Sequence, residues 1–76
     1  MIDPQAQHRG FLIRKARKAR NMTLTDLGEK ARLSISFLSQ VERGVINPSI
    51  NSLRRIALAL DTTLSSFFNE LKPTQG

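Results

Sequence analysis

Apolar residues recur along the chain at helical spacing, and no stretch alternates long enough to predict a strand. The clearest stripe lies in the segment that follows Ser49 and consists of Leu53, Ile56, Ala57 and Leu60. A thin stripe predicts a first helix over about 10–21, and a heavily apolar segment predicts a last one over about 64–71. With two further helices between them, the pattern predicts an all-α fold of five short helices.

Hydroxyl residues mark where three of these helices begin. Thr23 or Thr25 marks the start of the second helix, and Thr23 with Asp26 three residues later resembles a capping box. Ser34 predicts the start of the third helix, and Gly44 its end, because glycine readily adopts the left-handed conformation that follows a helix. Ser49 predicts the start of the fourth.

The second and third predicted helices are joined by only about three residues. Their apolar positions have the spacing of a helix-turn-helix: Leu27, Ala31, Leu33, Leu38 and Val41. Gly28 sits inside the second helix, where glycine costs about 1 kcal/mol relative to alanine. This glycine predicts that another stretch of backbone approaches closely there.

Length and proline placement indicate a single small domain. Seventy-six residues are near the lower limit for one apolar core. Prolines at positions 4, 48 and 73 suit a flexible N-terminal arm over 1–9, a tight connection and a loose tail over 72–76. The helical domain is therefore predicted to span 10–71.

The net charge of the chain narrows the kinds of molecule that it is expected to bind. Twelve Lys and Arg against six Asp and Glu give a formal net charge of +6, which favours nucleic acid or an anionic membrane surface. The first predicted helix lacks the leucine and aromatic density that membrane insertion needs. A packed helix with a basic outer face fits it better.

Several other classes are disfavoured. The chain has no cysteine and a single histidine, His8, so we predict no metal site and no cofactor. It has no glycine-rich phosphate loop and its acids are scattered, so we predict no enzyme. No apolar run approaches the roughly 20 residues of a membrane span, and the N-terminus lacks a secretion signal, so we expect a cytoplasmic protein.

Three stretches carry a resemblance to a known family: "IRKARKARNMTLTDLGEKA", "SFLSQVERGVINPS" and "LRRIALAL". Together they resemble the Cro and repressor-type helix-turn-helix family, also called the XRE family, from about Gly10 to Phe68. The nearest subset resembles regulators that continue into a cupin-type sensor domain. The resemblance implies a compact five-helix bundle of the lambda-repressor-like type.

The resemblance also implies that the third helix lies in the DNA major groove. The residues that it places at base edges are Ile35, Ser36, Ser39 and Gln40. Ile35 could meet a thymine methyl group or flank the core, and Gln40 could pair with adenine. Phe37 could touch the DNA backbone or cover the helix junction.

Phosphate contacts are implied at the starts of the second and fourth helices, where backbone N–H groups are free. The residues concerned are Thr23, Thr25, Phe37, Arg43, Asn47 and Ser49. Leu24 stands where the family often has glutamine, so one side-chain contact is expected to be missing.

Two further features follow from the resemblance. Arg17 and Glu42 match positions that form a partly buried ion pair, so Arg17 is not expected to bind DNA. Arg32 and Asp61 stand at turn positions usually held by glycine. Arg32 is therefore expected to alter the shape of the turn before the third helix.

The sequence as a whole predicts a sequence-specific regulator of transcription, of the repressor type, that binds double-stranded DNA as a homodimer. The predicted self-contact consists of Leu64, Phe68 and Leu71, while Phe67 points inward. The alternative is an antitoxin-like or anti-repressor-like module that uses the same fold to bind a protein. RNA binding is less favoured, because no exposed aromatics are spaced for base stacking.

Overall fold

A computed structural model describes residues 3–68, which contain four α-helices and no strand. The helices are α1 (Pro4–Ala19), α2 (Leu24–Ala31), α3 (Ile35–Glu42) and α4 (Ile50–Ala59), and a short 3₁₀ turn (Leu64–Phe67) follows. The all-α prediction is confirmed. The count of five helices is wrong for this part of the chain, and Leu71 lies outside it.

The fifth predicted helix is a 3₁₀ turn, in which one serine hydroxyl competes for a backbone carbonyl group. Thr63 makes no side-chain cap, and the hydroxyl of Ser66 donates to the Thr63 carbonyl oxygen at 2.7 Å. Serine side chains that bond locally in this way disfavour a continuing α-helix.

One apolar core collects a stripe from every element. Its buried members are Ile13, Leu27, Ala31, Leu38, Val41, Leu53, Ile56, Ala57, Leu60 and Phe67. The stripe predicted for α4 is buried in full, and Phe67 points inward as predicted.

The first helix begins well before the position that the pattern indicated. Asp3 caps it, since its Oδ1 accepts a hydrogen bond from the Gln5 amide at 3.0 Å, and Pro4 occupies the first helical position. Proline is favoured there because its missing N–H has no partner to lose. Residues 4–9 are therefore helical, and the predicted flexible arm is wrong for them.

Close backbone packing joins α1 to α3. A Cβ atom on Gly10 would lie 2.6 Å from the carbonyl oxygen of Glu42, far inside van der Waals contact. Sequence reasoning placed Gly10 at the helix start and missed this role. The crossing at Gly10 brings the middle of α1 against the end of α3.

The turn between α2 and α3 is the compact one that the spacing predicted. A Cβ atom on Gly28 would lie 2.7 Å from the Leu33 carbonyl oxygen, which confirms the close approach expected there. Arg32 itself adopts the left-handed conformation at φ 61°. The expected change in turn shape is therefore wrong, and α3 begins directly after the Ser34 cap as predicted.

Candidate nucleic-acid interface

Helix α3 has one face in the core and one toward solvent. Leu38 and Val41 are buried, whereas Ser36 is exposed and Ser39 and Gln40 are half-buried. The Ser34 hydroxyl accepts a hydrogen bond from the Phe37 amide at 3.0 Å and fixes the first turn. The predicted base-contacting residues of α3 therefore lie together on one outward surface.

Ile35 lies at the boundary between the buried and the exposed face of α3. Its side chain is 47% exposed, yet its Cγ1 lies 3.8 Å from the position of a Cβ on Gly28. One side of Ile35 thus covers the α2–α3 junction, and the other faces outward. Phe37 is half-buried and packs against the core, which fits the junction-covering alternative.

An ion pair between Arg17 and Glu42 anchors the end of α3 to α1. The Arg17 Nε and Nη2 atoms donate to the two Glu42 carboxylate oxygens at 2.7 and 3.0 Å. The third nitrogen, Nη1, donates to the Met22 carbonyl oxygen at 2.8 Å. The hydrogen bond to Glu42 raises the pKa of Arg17 above its usual value. With each guanidinium nitrogen engaged, Arg17 has the structural role that the resemblance implied.

The start of α2 carries the capping box that the sequence predicted. The Thr23 N–H donates to Asp26 Oδ2 at 2.9 Å, and the Asp26 N–H donates to Thr23 Oγ1 at 3.0 Å. Hydrogen bonding to the carboxylate by the Thr23 backbone, and then by the Thr23 side chain, lowers the pKa of Asp26, so it is a carboxylate at neutral pH. Because the amide of Thr23 is occupied, the open donors of this turn are the N–H groups of Leu24 and Thr25.

The start of α4 forms a second outward-facing turn. Ser49 caps it by accepting the Ser52 amide at 3.1 Å, which leaves the first amides of the helix open. Asn47 is exposed but not free, because its side chain bonds both Asp3 and Arg9. Sequence reasoning assigned roles to neither partner. Asp3 followed by Pro4 was the available signal, since an acceptor residue before proline marks a helix start.

A concave surface of about 330 Å³ lies between α1 and α3, beside the start of α2. Arg14, Leu24, Ser39 and Arg43 line it, together with the Arg17–Glu42 pair. The Arg43 Nε atom donates to the Ser39 carbonyl oxygen at 3.4 Å, which holds its guanidinium near the end of α3. The surface thus places two exposed arginines, Arg14 and Arg43, next to the outward face of α3.

Only part of the predicted self-contact lies within residues 3–68. Leu64 is half-buried, and Phe68 is 40% exposed with the Arg9 guanidinium 4.7 Å from its ring centroid. Leu71 lies outside the described residues. Phe68 is thus an exposed aromatic next to a cation, at the last of the described residues.

Two kinds of site are absent from the part of the chain that the structure covers. Residues 3–68 contain no group of three or more His, Cys, Asp or Glu side chains that could hold a metal ion. Among those same residues, no helix has the length and apolar character needed to cross a bilayer.

Known proteins resemble the chain over most of its length. A model of the helix-turn-helix family matches residues 13–67. The transcriptional regulator SinR of Bacillus licheniformis is 36% identical over 67 residues, which are 87% of this chain and 60% of the relative. The immunity repressor protein of Bacillus phage phi105 is 41% identical over 61 residues, 80% of this chain and 42% of the relative. The chain therefore spans about half the length of these relatives.

Solved structures share the fold. The restriction-modification controller protein C.AhdI from Aeromonas hydrophila superposes with a TM-score of 0.81 at 28% identity, covering 83% of this chain and 96% of that one. SinR solved in complex with DNA superposes with a TM-score of 0.76 at 34% identity, covering 79% and 97%. The finer resemblance to cupin-containing regulators finds no support in these likenesses and stays a prediction.

Proposed function

The chain belongs to the helix-turn-helix family of Cro and repressor-type proteins, and we propose that it is a sequence-specific DNA-binding regulator of transcription, of the repressor type. A homodimer binds an inverted-repeat operator in the cytoplasm, with one α3 helix in each of two successive major grooves. The protein has no catalytic role in this proposal.

The observation that carries the proposal is the surroundings of α3. Its outward face holds small and amide side chains, and the capped first turns of α2 and α4 are both exposed. The major groove is about 12 Å wide and admits one helix. Phosphates flank the groove on both sides, where helix N-termini with open amides bind anions well.

The base contacts follow from side-chain chemistry. The Gln40 amide can donate and accept together, which matches the adenine edge, and Ile35 offers its exposed side to a thymine methyl group. Ser36 and Ser39 carry hydroxyls that donate or accept according to the base. We assign base reading to these four residues.

The backbone contacts are assigned to the flanking turns. The amides of Leu24 and Thr25 replace the occupied amide of Thr23 at the start of α2. The Asn47–Ser49 segment and the amides after it form the clamp at the start of α4, and Arg43 adds a charged donor. Phe37 contributes at most the edge of its ring, since it is half-buried.

Operator selection from random genomic fragments, followed by protection mapping, tests the proposal. One α3 helix reads only a few base pairs, so we expect a two-fold symmetric site with half-sites about 10–11 bp apart, centre to centre. Recovery of fragments without a common protected sequence would overturn sequence-specific regulation.

Salt dependence separates DNA binding from the protein-interaction alternative. If each monomer neutralises two or three phosphates, the log of affinity falls against the log of salt concentration with a slope of about −4 to −6 for a dimer. A flat response would favour a protein partner over DNA.

A further inference from the structure

Both polar atoms of the Asn47 side chain are bonded, one to the N-cap residue of α1 and the other to the second turn of that helix. Its Nδ2 donates to Asp3 Oδ2 at 3.2 Å, and its Oδ1 accepts from Arg9 Nη1 at 3.0 Å. These partners lie 44 and 38 residues away in the chain. The loop that carries the proposed clamp before α4 is therefore tied to the N-terminal end of the described fold.

The Asp3 carboxylate, which accepts from Asn47 Nδ2, is chemically similar to the DNA phosphate that the clamp is proposed to bind. A carboxylate oxygen and a phosphate oxygen are both anionic acceptors, and an amide nitrogen donates to either in the same geometry. We propose that Asp3 occupies the position of a DNA phosphate on the Asn47 amide, and that DNA binding exchanges the carboxylate for a phosphate oxygen. Asp3 thereby limits affinity for the DNA backbone. The inference rests on the proposed function, because it assigns Asn47 to a phosphate.

Arg9 is the positioning residue of this arrangement. By donating to Oδ1 it fixes the orientation of the amide, so that Nδ2 and not Oδ1 faces the exchange position. The Phe68 ring, 4.7 Å from the Arg9 guanidinium, also packs against the arginine. Arg9 therefore stays in place when Asp3 leaves, and its positive charge favours the incoming phosphate.

The exchange leaves the fold intact. Asp3 and Asn47 are both exposed, so a phosphate reaches the amide without any opening of the core. Asp3 caps α1 through its other oxygen, Oδ1, which accepts the Gln5 amide. The carboxylate can leave Asn47 and still cap the helix.

Asp3→Asn tests the proposal, because asparagine caps helices as well as aspartate but carries no charge. The matched control is Asp61→Asn, which makes the same change in net charge at the opposite end of α4 from the Ser49 cap. Asp61 has a φ of 57°, a conformation that asparagine tolerates. Thermal melts should show both variants folded like the wild type.

Fluorescence anisotropy on an operator duplex and a random duplex gives the readout. Repulsion between unit charges in contact in water corresponds to about a five-fold change in affinity. We expect Asp3→Asn to raise affinity about three- to five-fold per bound monomer on both duplexes, and Asp61→Asn to change it by less than about 1.5-fold. Equal gains from the two variants would overturn the inference, since net charge alone would then account for them.

An Asn47→Ala background shows whether the amide mediates the effect. If the carboxylate and the phosphate exchange on Nδ2, the gain from Asp3→Asn falls to about that of Asp61→Asn once the amide is gone. A full gain in that background would refute the exchange. In the wild type, the carboxyl ¹³C resonance of Asp3 should shift when duplex DNA is added, and an unchanged resonance would refute it as well.

Failure of this inference differs from failure of the proposed function. If the wild-type protein binds neither duplex at low salt, both the proposed function and the inference about Asp3 are overturned. If the wild type binds its operator but Asp3→Asn and Asp61→Asn have the same affinity, only the inference about Asp3 is overturned.

Discussion

Arg17 and Glu42 form a bidentate ion pair across 25 residues of chain, with only 10% and 6% of their side chains exposed. The pair fixes the end of α3 against α1, next to the Gly10 crossing. The orientation of the proposed recognition helix therefore depends on two charges buried behind it.

Removal of one member of this pair should be far more damaging than removal of both. Arg17→Met strands the Glu42 carboxylate, which typically costs about 3–5 kcal/mol, a large share of the stability of a small domain. The double variant Arg17→Met with Glu42→Leu leaves no buried charge and should recover most of that loss. Urea unfolding of the three proteins measures it, and equal losses in single and double variants would contradict a buried pair.

Gly10→Ala should destabilise the fold although alanine favours helices. In an open helix the change would stabilise by about 1 kcal/mol. Here the new Cβ would lie 2.6 Å from the Glu42 carbonyl oxygen, so α1 and α3 must separate. We expect a net loss of about 1–3 kcal/mol in urea unfolding. A gain in stability would show that α1 crosses α3 less closely.

Gln40→Ala and Arg43→Ala should separate base reading from backbone binding. Loss of the Gln40 amide should weaken operator binding by about 1–3 kcal/mol and relax the preference at one base position in each half-site. Arg43→Ala should weaken operator and random DNA alike. Titrations on both duplexes measure this, and equal effects of Gln40→Ala on both would refute the assignment of Gln40 to a base.

Phe68→Glu should abolish cooperative occupation of the two half-sites and leave the monomer folded. Phe68 is partly exposed and lies beside Arg9, which can pair with the new carboxylate. Leu58→Glu is the control, because Leu58 on α4 is 74% exposed and the charge change is the same. Half-site and full-site titrations give the readout. If Phe68→Glu unfolds the protein, the residue belongs to the core and the dimer surface lies elsewhere.

The protein should lose stability in acid, because protonation of Asp26 disrupts the capping box of α2. The pKa of Asp26 is lowered from its ordinary 3.8 by the Thr23 hydrogen bonds. A lowered pKa means that the carboxylate stabilises the fold above pH 3.8, and that this contribution is lost as the pH falls through the lower folded-state value. Asp26→Asn should therefore show a shallower decline between pH 5 and pH 2, measured by urea unfolding. An unchanged decline would mean that the capping box is not formed in solution.

The parts of the fold that local chemistry determines were predictable. Thr23, Ser34 and Ser49 each cap the helix that the sequence assigned to them, because an N-cap depends on residues within three positions. The early start of α1 was missed, although Asp3 and Pro4 carry a local signal for it. The length of the last element was overestimated because its apolar pattern is helical, while the Ser66 hydroxyl bonds the backbone of the same turn.

The constraints on the candidate interface were less predictable because they join distant residues. Nothing near Asn47 in the sequence indicates that Asp3 and Arg9 hold its side chain. At the Arg32 turn, the preference of the left-handed conformation for glycine did not predict the structure. That conformation is unfavourable for arginine, but the packing of α2 on α3 imposes it. The assignments of base and phosphate contacts remain predictions.

The two-sided character of α3 bears on how such a protein could acquire a new operator. Under the proposed assignments, changes at Ser36, Ser39 and Gln40 alter DNA contacts without removing a buried apolar side chain, so DNA preference can drift there at little cost in folding. Ile35 differs in being apolar, with one flank of its side chain packed over Gly28 at the α2–α3 junction. If Ile35 reads a base as proposed, a new base preference there should carry a penalty in folding, and mutational paths between operators should cross this position late or only with a second change beside it.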